Sequence, residues 1–322
     1  MTQRRLILKG GLSAVALAGL PALAQGTVNR IYIGFPVGGS TDLVARGLAE
    51  QLRIKTGAAW IVDSRPGAAG RLVVSMFKDL PSDGTNLLVS PAAMLTMYPH
   101  TYRKLAYDPL TDVVPVSSTV RFRYALIAGP GLPASVQNLA QYKTWATGKQ
   151  SSYGSAATGT GLHMAGVIMT RALGLDLVHA GYRGGPAMVL DVMGGQIPIG
   201  FTVLSDVIPG VQAGRLRVLG ITGTQRASQV PDALTFQEQG IQGLDFLDWQ
   251  GVFLPRRASV ADAEAMNLLI TAALKAPEFV ELAKKNGMEP GGESRAAFAR
   301  TVQEDFDRWG PVVKASGFTA ED

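Results

Sequence analysis

Short β-like runs alternate with amphipathic helical stretches from about residue 30 to residue 222, and this alternation most constrains the fold. A chain that alternates in this way buries a mostly parallel sheet between helices, which defines an α/β class. Residues 30–35 read as a strand and run into Pro36-Val37-Gly38-Gly39-Ser40-Thr41. Residues 41–54 then carry Val44, Leu48 and Leu52 at i, i+4 spacing, an amphipathic helix ended by Gly57. Residues 60–63 give a second strand, Arg65-Pro66-Gly67-Ala68-Ala69-Gly70 turns into a helix over about 72–80, and residues 86–90 give a third strand. The pattern recurs with strands at 124–128, 150–153 and 177–182, helices at 139–146 and 162–173, and a glycine-rich run over 154–161. A helix opening at Pro186 and closing at Gly194-Gly195 leads to strands near 197–201 and 216–222. Beyond residue 261 the chain reads as largely helical.

At 322 residues, on a scale of roughly 150 per domain, two domains are expected. An apolar fraction of 47% with near-balanced charge excludes a disordered chain. The absence of cysteine excludes a disulfide scaffold, a thiolate zinc site and a cysteine nucleophile, and three histidines leave little for a histidine-rich metal site. No Pro/Ser-rich linker separates the two halves, so the domains are expected to exchange chain through paired crossovers at 124–128 and 246–254. One lobe then comprises residues 25–124 plus 247–322 and the other residues 125–246.

The N-terminus reads as an export signal over residues 1–24. Arg4, Arg5 and Lys9 precede an uncharged stretch over 12–23, and Ala22-Leu23-Ala24 supplies a small-x-small cleavage site after Ala24. The Arg4-Arg5 pair also fits a twin-arginine signal, and both export routes stand. The formal charge of +5 includes three cations and no anions from this segment, so the processed chain carries +2. That balance removes the case for a nucleic-acid partner and favours a soluble periplasmic protein.

Two strand–glycine-loop–helix units carry the chemistry. In the first, Gly38 and Gly39 allow a tight turn, and the amides of Ser40, Thr41 and Asp42 open a helix. Unpaired N–H groups and the helix dipole make such an end receptive to anions. In the second, Ser155, Ala156, Ala157 and Thr160 precede the helix that carries His163. Both loops fall at the carboxyl ends of strands, where open α/β sheets bind ligands, so together they would clamp a small anion. An ordinary strand-to-helix connection needs the same residue types. Asp42 is either a first-turn acid favoured by the dipole or an acceptor for a ligand hydroxyl or amine. Arg183, in Tyr182-Arg183-Gly184-Gly185, is either a bidentate carboxylate ligand or a solvated surface residue. His100 and His179 show no partner in the sequence, and Asp108, Asp112, Asp245 and Asp248 read as caps and surface. The chain lacks a G-x-S-x-G elbow, a phosphate-binding G-x-x-x-x-G-K-[ST] loop and H-E-x-x-H, so no cofactor or metal is expected. An exported hydrolase or isomerase using His163 with a nearby Ser or Asp is a second reading.

Phe35-Pro36-Val37-Gly38-Gly39-Ser40-Thr41-Asp42, Ser64-Arg65-Pro66-Gly67-Ala68-Ala69-Gly70 and Pro81-Ser82-Asp83-Gly84-Thr85 stand in order along the chain. Tyr107-Asp108-Pro109, Tyr153-Gly154-Ser155-Ala156, Tyr182-Arg183-Gly184-Gly185, Gly194-Gly195-Gln196 and Ala213-Gly214-Arg215-Leu216-Arg217 follow. This ordered set resembles the periplasmic receptors of tripartite tricarboxylate transporters, the Bug-type binding proteins. The resemblance implies a two-lobed, Venus-flytrap periplasmic binding fold of type II with two crossover strands. It also implies a small organic acid as ligand, membrane transporter subunits as partners and no catalysis. A monomer is expected, and a ligand-sensing adaptor for a signalling receptor shares the same binding chemistry. The loop over 35–42 would hold the ligand carboxylate and the loop over 155–163 would close on it. Ser90, Tyr182, Arg183 and Thr202 would complete the site. Departures from the family pattern include Ala157, Gly161 and Leu162 in the second loop, Thr202 where an Asp is frequent, and Arg183 for a usual Lys. With the apolar Ser90-Pro91-Ala92-Ala93 loop, they imply a distal pocket less polar than a citrate site.

Overall fold

The structure, a computed structural model, describes residues 28–156 and 158–319. The expected export signal and its cleavage site lie outside the described residues, as does Ala157. The chain begins with β1 (Asn29–Ile33), α1 (Ser40–Thr56), β2 (Trp60–Ser64), α2 (Arg71–Phe77) and β3 (Asn86–Pro91). Two single-turn helices, α3 (Ala93–Thr96) and α4 (Tyr98–Thr101), lead to β4 (Val113–Phe122). Arg123 alone separates β4 from β5 (Tyr124–Ala128), which opens a second sheet. That half continues through α5 (Leu139–Ala146), β6 (Ser151–Ala156), α6 (Gly161–Leu173), β7 (Leu177–Tyr182) and α7 (Gly185–Met193). It ends with β8 (Ile199–Val203), α8 (Ile208–Gln212) and β9 (Arg217–Ile221). The chain returns to the first sheet in β10 (Asp248–Pro255) and finishes with α9 (Val260–Leu274), α10 (Pro277–Lys285), β11 (Met288–Pro290) and α11 (Arg295–Ser316).

The two sheets repeat one topology. The first has the order β11-β4-β10-β3-β1-β2 and the second β7-β6-β8-β5-β9. In each, three strands of a parallel strand–helix unit lie side by side, and the next position is taken by a strand arriving from the other half. That guest is β10 in the first sheet and β5 in the second, and both run antiparallel to their hosts. The expectation of mostly parallel strands is therefore corrected: four pairings are parallel and five antiparallel among the described residues. Four of the five antiparallel pairings involve the exchanged strands β10 and β5, and the fifth joins β11 to β4 at the sheet edge.

The sequence explains the layers. Ile31 and Ile33 on one face of β1 pack with Val44, Leu48 and Leu52 of α1, whereas Tyr32 on the other face packs with Val73, Val74 and Phe77 of α2. Alternate residues of β1 thus serve two cores, as a strand covered on both sides requires. Each fully buried aliphatic side chain contributes about 1.5–3 kcal/mol. Gly57, in the left-handed region at φ 69°, ends α1 by returning its N–H to the Arg53 carbonyl. At the C-terminal end, Phe298 of α11 packs on Trp249 and Phe253 of β10. Arg171 of α6 donates to the Ala315 and Ser316 carbonyls at 2.7 and 2.8 Å, so a cation caps α11 from the other half. No helix among the described residues is long and apolar enough to cross a membrane.

Candidate functional site

A cleft of about 690 Å³, open mouth included, lies between the sheets beyond the carboxyl ends of β1, β3 and β6. This is the switch point at which open α/β sheets bind ligands. Phe35, Gly39, Ser40 and Thr41 line it from the first half, and Ala156 and Thr160 from the second. Much of the remaining wall is apolar, with Met94, Phe122 and Leu162 prominent. No Lys, Arg or His lines it among the described residues. The halves meet around the cleft: Tyr102 Oη donates to the Thr158 carbonyl at 3.3 Å, and a Cβ on Gly184 would lie 3.7 Å from the Pro36 ring.

The N-terminus of α1 is held open by its loop. Gly38 adopts φ 91°, a conformation that favours glycine. Gly39 is the N-cap and carries no side chain to satisfy the first amides. Asp42 does not point into the cleft. Its Oδ2 accepts the Gly38 N–H at 3.1 Å and Arg46 Nε at 3.0 Å, so it is a first-turn acid that braces its own loop. The N-terminus of α7 is similarly uncapped by a side chain, with Gly184 as N-cap. The α6 N-terminus differs, because Thr160 caps its own helix by accepting the His163 N–H.

Several expected site residues lie behind the wall rather than in it. Ser90 is fully buried and donates to the Pro91 carbonyl at 2.9 Å. Ser155 is fully buried, with Oγ 2.8 Å from His179 Nε2. Tyr182 Oη donates to Asp191 at 2.8 Å. Arg183 is exposed and does not line the cleft. Thr202 is fully buried, and its hydroxyl donates to Asp206 Oδ2 at 3.3 Å.

His163 also lies behind the wall, and here the structure supplies a partner that the sequence did not. Its ring stacks on His179 with centroids 3.9 Å apart, and Nδ1 accepts the Gly159 N–H at 3.2 Å. Burial pushes the His163 pKa down to about 3, with the neighbouring His179 adding to the effect, and burial pushes His179 down to about 4. Both rings are therefore neutral at pH 7. Each unfolded ring titrates near 6.5, so the unfolded chain binds protons that the native pair refuses. Stability from the pair is present above that value and is lost as pH falls towards 4. His179→Gln, which preserves a hydrogen bond to Ser155, is expected to remove about 1–2 kcal/mol of the loss between pH 7 and 5, after allowing for partial solvent screening. Urea melts of both proteins at the two pH values check this, and equal losses would contradict it. His100 is partnered too, through Nε2 to the Phe306 carbonyl at 2.8 Å.

Three polar residues of the wall were not singled out for the site by sequence: Asp206, Asp248 and Gln250. Asp206 follows β8 on a single 3-10 turn, and burial pushes its pKa up to about 6 although Thr202 and the Ser40 amide hold it down. A Cβ on Gly185 would lie 2.7 Å from its Oδ2, so the glycine makes room for the carboxylate at the start of α7. Asp248, read as a cap or surface acid, is buried where β10 begins. Its Oδ2 accepts the Tyr124 hydroxyl and its Oδ1 the Trp249 N–H at 2.8 Å. Burial pushes Asp248 up to about 6 as well. Gln250 is 1% exposed and its Oε1 has no hydrogen-bond partner. An acid just past a parallel strand's carboxyl end was the one legible signal, at Ser205-Asp206.

Known proteins place this architecture. A UPF0065 protein of Bordetella pertussis is 29% identical over 291 residues, covering 89% of each chain. The structure of Rpa4515 from R. palustris with adipate superposes with a TM-score of 0.85 at 25% identity, covering 91% of this chain and 98% of that one. The periplasmic binding protein BugD, at 23% identity, shares the fold with a TM-score of 0.84 over 91% of this chain and 99% of its own. The family model of the tripartite tricarboxylate transporter family receptor, TctC, matches residues 44–318. With the two-lobed α/β architecture and its exchanged strands, these matches show that the chain belongs to the TctC receptor family.

Proposed function

We propose that the protein is a periplasmic solute receptor that holds a small organic carboxylate between its lobes and presents it to a tripartite tricarboxylate-type membrane transporter. One observation carries this reading: the N-termini of α1 and α7, each with a glycine as its N-cap, converge from opposite lobes on one apolar-walled cleft. A carboxylate at the Thr41 amide would receive a charge-assisted hydrogen bond without any cationic side chain, next to the Ser40 amide that donates to Asp206. The adipate held by Rpa4515 is a ligand of this class. Closure then follows from contacts to both lobes, because a ligand stabilises only the state it binds better.

The hydrolase reading is less well supported. Ser155 is fully buried and His163 spends Nδ1 on the Gly159 amide, so neither reaches the cleft. In a thermal-shift panel of mono- and dicarboxylates, including adipate, a ligand at a hundred times its Kd is expected to add about 2.7 kcal/mol. X-ray scattering of the same samples should show compaction. Stabilisation by neutral sugars alone, with every acid silent, would sink the receptor reading.

A further inference from the structure

We propose that the cleft takes up its carboxylate together with one proton from the medium, shared between the ligand and Asp206. The inference rests on the receptor reading and specifies how that site accommodates an anion. The anion-receptive end of α1 already faces a carboxylate of the protein. Asp206, half-buried just beyond β8, lines the cleft and accepts the Ser40 amide, the first of the helix. The Thr202 and Ser205 hydroxyls donate to it as well, so three donors fix the group in place. The Thr41 amide follows directly, and the first-turn amides of a helix point the same way. A ligand carboxylate at Thr41 therefore stands within roughly 4–6 Å of Asp206, where like charges oppose each other's ionisation.

No cation relieves that pair. No Lys, Arg or His lines the cleft among the described residues. On α1, Asp42 and Arg46 pair with each other, and on α7 Asp191 accepts the Tyr182 hydroxyl. Arg215 shares a groove with Asp206 beside α8 but forms no ion pair with it among the described residues. Asp248, the other acid of the wall, is committed to Tyr124 and the Trp249 amide. A proton is then the counter-charge at hand. Two carboxylates side by side titrate as one unit and hold a shared proton above the range of either alone. Burial already pushes the Asp206 pKa up to about 6, so the group is ionised in the free receptor at pH 7.5 and needs only a modest further rise. The resulting O–H···O⁻ bond is of the strong, charge-assisted kind, and it ties a ligand on α1 to the opposite lobe.

The test is calorimetric titration of the exported, processed protein with succinate, adipate, benzoate and 3-phenylpropionate at pH 7.5. Each acid is titrated in phosphate and in Tris, which differ widely in ionisation enthalpy. For whichever acid binds, the enthalpy difference is expected to report uptake of roughly half to one proton per ligand. The bound state holds more protons, so affinity should fall about three- to ten-fold between pH 7 and 8. The near-isosteric Asp206→Asn should bind without proton uptake and with an affinity flat over that range. Absence of uptake in the wild-type protein, a result that needs no variant, would overturn the inference and leave the receptor reading standing. Uptake retained in folded Asp206→Asn would do the same, by placing the proton on another group. Failure of every acid to bind would overturn both.

Discussion

Gly39→Val is expected to weaken carboxylate binding by roughly ten- to a hundred-fold while leaving the fold intact. Gly39 sits at φ −89° and ψ 175°, an extended conformation that a β-branched residue adopts without strain. A Cβ there would meet only the Pro36 carbonyl, at 3.9 Å, so the backbone has room for it. The added isopropyl group would cover the first amides of α1, where a charge-assisted hydrogen bond is worth about 1.5–3 kcal/mol. Gly38 is the poorer probe, because its φ of 91° would strain any side chain and confound binding with stability. Titration calorimetry gives the affinity and a thermal melt shows that the variant is folded. An unchanged Kd in a folded Gly39→Val protein would remove α1 from the site.

Tyr124→Phe should cost about 1–3 kcal/mol of stability, because it leaves the buried Asp248 carboxylate without its hydroxyl donor. These residues open β5 and β10, the two strands that each lobe lends to the other, so their bond ties both crossings together at the base of the cleft. Burial, and then the neighbouring Asp248, push the Tyr124 hydroxyl well above its ordinary pKa, so it remains a donor throughout the accessible range. The first residue of α6 is part of the same arrangement: a Cβ on Gly161 would collide with the Tyr124 hydroxyl. A double-mutant cycle of Tyr124→Phe and Asp248→Asn, read by urea denaturation, should give a coupling of about 1 kcal/mol or more. Additive losses would show that the two groups act independently.

The parts of this fold that were legible in the sequence are those set by local periodicity. The alternating Ile31, Tyr32 and Ile33 mark a strand covered on both faces, and Val44, Leu48 and Leu52 mark the helix that covers one of them. Two strands escaped the sequence reading, β4 and the short β11, and β4 has Pro115 near its start and Ser117-Ser118-Thr119 at its centre. Those hydroxyl residues are buried because partners far along the chain satisfy them: the Gln250 carbonyl takes the Thr119 hydroxyl, and Glu293 takes that of Ser118. Two register shifts against β10, one of them beside Pro115, break the period further.

The candidate site divides along the same line. Phe35, Gly39, Ser40 and Thr41 were readable from a strand–glycine–helix junction, and the structure brings all four to the cleft. Ser155 and His163 shared the composition of a second such junction and Thr202 came from the family resemblance, but the side chains of all three lie behind the wall. Asp206, Asp248 and Gln250 gave weak or no signals, because their burial depends on strands from opposite lobes meeting at one cleft. A single sequence records residue types along a line, and only the exchange of β5 and β10 decides which of them face each other.

The most direct test of a carboxylate held at the α1 N-terminus is the amide spectrum of the isotopically labelled protein during titration with the tightest-binding acid. The Thr41 N–H resonance is expected to move downfield in proportion to occupancy, with Gly185 at the start of α7 responding in the same titration. Calorimetric binding of the acid with these amide resonances unmoved would contradict the account.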